Sequence, residues 1–152
     1  MKKQATNLFI FSFICFIVVL IFGSLLNPIK KSLVDTDIFR NFSLFHSHFD
    51  QLCWLGSAAL GCTFYALDNR YSGSKVILAI FTFSYTVGSL LFSSGFLFRA
   101  IGKIFKNGII EKGAAIGMIS LGGLLILVAA FCALYIAYCI IFYRKCVNGV
   151  LG

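Results

Sequence analysis

Residues 8–26 read LFIFSFICFIVVLIFGSLL. This run carries no charged side chain, and it is about as long as the ~20 residues a helix needs to cross a hydrocarbon layer. Lipid offers no partner to an open backbone N–H or C=O, so a helix is the expected form. Three further runs repeat the pattern, at 44–67, 76–98 and 114–143. The expectation is an all-α fold: one transmembrane domain over 1–152, an integral membrane four-helix bundle.

Composition points the same way. The chain has 152 residues, 60% of them hydrophobic and 12% charged. An ordinary soluble domain has roughly 45–50% and 25%. Mean hydropathy is +0.96. Too little polar surface remains to clothe a water-soluble globule, which excludes soluble enzymes and extended disordered chains. The formal charge of +8 invites a nucleic-acid partner. The basic residues, however, lie in short segments between apolar runs, where anionic headgroups favour them, and they form no basic face. The partner expected is the lipid bilayer, with no nucleic acid. The location is multi-pass in a membrane, the plasma membrane if the source is prokaryotic.

Lys2 and Lys3 precede the first run as in a signal peptide. The apolar stretch is longer than an h-region and no A-x-A site follows, so a retained signal anchor is expected. Pro28 reads as a helix stop, followed by a polar stretch to Ser43. Residues 68–75, DNRYSGSK, read as a tight turn. Between Arg99 and Gly113, Ile101, Ile104 and Phe105 recur at helical spacing beside Lys103 and Lys106. That fits either a helix in the headgroup layer or a solvated loop. Four spans put six basic residues on one side and seven on the other, which leaves the orientation undecided.

Apolar burial does not drive helices together in lipid; close packing through small residues does. Gly113 and Gly117 form a GxxxG motif, with Gly122 and Gly123 after it. Gly56 and Gly61 lie in the second run, Gly88 and Gly95 in the third. Thr82, Tyr85, Ser89 and Ser93 form a hydroxyl stripe that should face protein. Cys15, Cys53, Cys62, Cys132 and Cys139 fall in apolar runs without a CxxC pair, so they read as small buried side chains.

One segment departs from this pattern: HSHFDQLCW, residues 46–54, at the head of the second run. His46 and Asp50 are four apart and share a helix face. His46 and His48 are about 200° apart and cannot both bind one metal from a regular helix. Asp50 could hold one imidazole N–H and leave the other nitrogen for iron or a proton, a task a loop group could equally perform. Equally, the cluster could sit at headgroup level with no further role.

The order His46, His48, Trp54, Gly61, Tyr65 resembles the second transmembrane helix of the haem-copper oxidase and nitric oxide reductase catalytic subunits, and more closely short relatives led by an HxH helix. The resemblance implies that His46 or His48 is an axial ligand of haem b, with Arg40, Arg99 or Lys103 meeting the propionates. A second ligand would be Met118, a histidine of a second copy, or none. The chain has no histidine beyond these two, so a binuclear centre within this chain alone is excluded. No catalytic constellation is legible. The sequence therefore reads as a non-catalytic small subunit, assembly or interaction partner, self-associating or in a larger membrane complex. The alternative is a haem-binding electron-transfer or sensing module.

Overall fold

The computed structural model describes residues 1–32, 36–71 and 73–148, and for 27–32 and 143–148 the backbone alone. The described chain is all helical. Helix α1 spans Lys2–Ser32 and α2 spans Thr36–His48. A π-helical segment, Phe49–Gly56, leads directly into α3, Ser57–Ala66. After a 3-10 turn at Asp68–Arg70 come α4, Lys75–Ile104, a second π-helical segment, Ile109–Ala114, and α5, Ala115–Asn148. Three helices are long and apolar enough to cross a membrane, at Lys2–Leu26, Lys75–Ile104 and Ile109–Phe142. The second apolar run is one continuous helical rod in three parts, α2, the π segment and α3.

Several expected boundaries are corrected. Pro28 does not stop α1, whose backbone stays helical to Ser32. A proline removes one N–H donor, and an established helix bears that loss more easily than a nucleating one. Most of the expected 27–43 loop is helical, because α2 begins at Thr36. No separate surface helix or long loop follows Arg99. Instead α4 runs on to Ile104, and a turn with Lys106 at φ 51° leads into the second π segment. The helices thus outrun their apolar cores. Their ends are held by burial together with ion pairs: at one end Ile38, Phe42 and Ala100 pack in a buried cluster and Lys103 Nζ lies 3.1 Å from Asp37. At the other end the Lys2 backbone N–H donates to Asp68 at 2.9 Å. The side chains of four basic residues, Lys30, Lys31, Arg144 and Lys145, and of the sixth cysteine, Cys146, lie outside the described residues.

The interior mixes apolar side chains, among them Leu8, Phe45, Phe64, Leu78 and Phe81, with small and hydroxyl-bearing residues. Ser57, Ser89 and Ser93 are fully buried, and Ser12, Asn41 and Ser84 nearly so. Large apolar side chains cover the outside: Phe13 and Phe131 are each 64% exposed and Leu134 67%. Cys15, Cys53 and Cys139 are buried as expected, whereas Cys62 is exposed.

Glycine sets the closest contact. Helices α4 and α5 run antiparallel, with Gly88 opposite Gly122, Gly95 opposite Ala115 and Ile119, and Gly102 opposite Glu111. A Cβ on Gly122 would strike the Phe92 backbone nitrogen and come 2.8 Å from the Gly88 carbonyl. Gly88, Gly95 and Gly102 recur every seven residues, the period of a left-handed helix seam. The expected GxxxG at Gly113 and Gly117 is not part of it, since nothing lies within 4 Å of a Cβ at either position.

Gly122→Ala is therefore expected to cost about 1–3 kcal/mol through overpacking. The readout is a lower melting temperature by circular dichroism in detergent. Gly117→Ala should leave the melt unchanged or raise it slightly, because Ala is the better helix former.

Candidate functional site

The polar cluster lies where α2 passes into the first π segment. A π turn shifts the backbone hydrogen bonds from i+4 to i+5, and such turns are frequent at functional sites. Here hydroxyls of neighbouring helices reach its carbonyls. Ser12 Oγ of α1 donates to the Trp54 carbonyl at 3.1 Å, and the Tyr85 hydroxyl of α4 donates to that of Leu52 at 2.8 Å. Gly56 leaves the room that the Tyr85 hydroxyl occupies. Cys53 Sγ lies 3.9 Å from Ser93 Oγ, and Cys53 shares a buried apolar cluster with Cys15 of α1. The segment is thus stitched to α1 and α4 at once.

The two histidines diverge, as their spacing predicts. His46 turns to α1: a Cβ on Gly23 would meet its Cε1 at 3.1 Å, and the Phe22 ring is 6.3 Å away. His48 turns to α4, its ring stacked on Phe96 at 5.1 Å and edge-on to Phe92 at 5.3 Å. Phe92 also reaches 3.9 Å from a Cβ position on Gly123 of α5, so a phenyl ring lies between His48 and that helix.

The His46–Asp50 hydrogen bond that helix spacing allows is not made. His46 Nδ1 and Asp50 Oδ1 are each buried without a hydrogen-bond partner among the described residues, as is Ser57 Oγ. Buried polar atoms left open in this way cost about 1–3 kcal/mol each, so they mark a place where a further group would be stabilising. Among the described residues no cluster of three or more His, Cys, Asp or Glu side chains could hold a metal ion.

Of the remaining candidates, the three basic ones gather around Asp37. Arg40 is exposed and lies 3.4 Å from Asp37, the same carboxylate that Lys103 meets. Arg99 is half-buried on α4, and Met118 half-buried on α5, which packs along α4. The hydroxyl stripe does face protein: Thr82, Ser89 and Ser93 are buried and Tyr85 is half-buried. Thr82 and Ser89 return their hydroxyls to their own helix, while Tyr85 and Ser93 cross to the π segment. The reach of Ser12 into that segment had no sequence signal, because a lone serine in an apolar run gives no direction.

Compared with known protein families, with curated proteins and with solved structures, the chain matches none.

Tyr85→Phe leaves the Leu52 carbonyl without its donor and is expected to cost about 1–3 kcal/mol. Hydrogen exchange should then quicken in residues 49–56 before it does in α5. A second expectation concerns acid. The hydrogen bond and charge of Lys103, then the charge of Arg40, hold the Asp37 carboxyl below its ordinary value of 3.8. A carboxyl depressed in the folded state lends stability above its unfolded value and withdraws it as pH falls through the folded one. The melting temperature should therefore drop below about pH 4, with a shallower drop in Asp37→Asn.

Proposed function

We propose that this chain is a polytopic integral membrane protein, a four-helix bundle in which the second apolar run, 44–67, also spans. It acts without catalysis, as a small subunit, assembly or interaction partner in the plane of the membrane. The observation that carries this reading is the extent of apolar surface that faces outward. Phe13, Ile21, Phe131 and Leu134 are among many large apolar side chains left exposed, while Ser57, Ser89 and Ser93 are buried beside the apolar core. Water penalises that arrangement and a hydrocarbon solvent does not.

The interaction role is supported by two of the glycines that the fold leaves open on one stretch of chain. Gly113 and Gly117 are exposed, with nothing within 4 Å of their Cβ positions, and Ser120 is exposed just beyond them. A second helix, from another copy or a larger complex, can approach the α5 backbone there. Gly117→Leu tests this. The wild type should migrate in mild detergent as a species larger than one chain, and the variant as a single chain whose helical circular dichroism is unchanged. A wild type that is monomeric and captures no membrane partner by cross-linking would count against the interaction role.

The second reading is a haem-binding electron-transfer or sensing module, with His46 or His48 on iron. The open atoms His46 Nδ1 and Asp50 Oδ1 support it. Haem would supply one-electron redox chemistry, and Arg40 or Arg99 would meet its propionates. Protein purified from a haem-replete host should then show a Soret band that is lost in His46→Ala or His48→Ala. Colourless protein contradicts this reading and leaves the first intact.

A further inference from the structure

A crevice opens between α1 and α4 at the end where both helices begin. Its mouth, about 500 Å³, is lined by Lys2, Lys3, Asp68, Tyr71 and Lys75 among others. A second cavity of about 470 Å³ is lined by Asn7, Phe11, Thr82, Phe83 and Thr86, and the two share Lys3 and Gln4. Together they make one path from the surface down the α1–α4 groove.

The mouth is basic. Lys2, Lys3 and Lys75 are exposed, and the carboxylate among the lining residues is Asp68. Asp68 is already engaged, accepting the Lys2 backbone N–H at 2.9 Å and lying 2.8 Å from the Met1 amine. Lys3 and Lys75 have no ion-pair partner among the described residues. Lys75 also opens α4, whose N-terminal amides favour an anion.

The lining changes with depth. Lys3, Asn7 and Phe11 are four apart on one face of α1, each about 6 Å further in. Lys75, Ala79 and Phe83 descend α4 in the same way. Charge comes first, then amides and hydroxyls, then phenyl rings. Thr82 and Thr86 donate to carbonyls of their own helix. The Gln4 and Asn7 amides make no hydrogen bond among the described residues, so they are the free donors at this level.

We infer that this crevice binds one anionic phospholipid. Its phosphate lies between Lys3 and Lys75, its ester carbonyls accept from Asn7, and an acyl chain lies over Phe11 and Phe83. A free phosphate shares the headgroup chemistry, but it would use the mouth alone and leave the graded lower cavity without a purpose. The inference rests on the membrane reading above.

The test is the full chain in nanodiscs of equal parts phosphatidylglycerol and phosphatidylcholine with matched acyl chains, with retained lipids identified by native mass spectrometry. One phosphatidylglycerol per chain is expected, enriched about tenfold over phosphatidylcholine. Lys3→Gln/Lys75→Gln should abolish the enrichment, and Asn7→Leu should lower the retention of both lipids. Lys106→Gln/Lys112→Gln, an equal charge change at the other end, should preserve the enrichment. Equal retention of the two lipids, loss in the control variant, or release by inorganic phosphate would each overturn the crevice assignment. A chain that never enters the discs contradicts the membrane reading, and the lipid site falls with it.

Discussion

The rest of the structure depends on the approach of two bare backbones at the α4–α5 seam. At Gly88 and Gly122 no side chain separates the helices, and each Cβ position falls within 3.0 Å of the other's carbonyl oxygen. Contact at this range gives dispersion attraction over a long line, which is the main source of helix association where the solvent is itself apolar. Gly95 and Gly102 prolong the line by a turn pair each, and Gly102 sets the return of the chain against Glu111. With α4 fixed on α5, its flanking faces receive α2 and the π segment through Tyr85, Ser93, Phe92 and Phe96.

The π segment carries the second constraint. It widens the helix at Phe49–Gly56 and aims the Leu52 and Trp54 carbonyls at hydroxyls of two different neighbours. The same register places His46 against α1 and His48 against α4. It also leaves Asp50 Oδ1 and His46 Nδ1 open within the packing. Structure and potential chemistry thus meet in one segment, and the lipid crevice at the other end of α1 is independent of it.

Much of the fold was legible in the sequence because the apolar runs are long and their period is helical. The all-helical class, the hydroxyl stripe on α4, and the divergence of His46 and His48 all follow from spacing. The helix ends did not follow. Hydropathy marks where a chain is greasy, whereas the helix ends also carry polar contacts such as Asp37–Lys103 and Asp68–Lys2 that it does not register. Of the glycines the sequence offered for close packing, Gly88, Gly95 and Gly122 make the contacts, whereas the GxxxG pair at Gly113 and Gly117 does not. A motif records that a backbone can be approached, and only the partner's surface decides whether it is. The π segment was invisible, since FDQLCWLG carries no pattern that separates π from α winding. Its cause lies in Ser12, Gly56 and Tyr85, far apart in sequence.

The central claim is that hydrocarbon surrounds the outward faces of α1 and α5. Carbene footprinting in native membranes with an apolar, lipid-dissolved diazirine tests it directly. The account predicts label on Phe13, Phe131 and Leu134, with Ser89 and Ser93 spared. If those outward residues stay unmarked by the apolar probe and react instead with a water-soluble one, the account is contradicted.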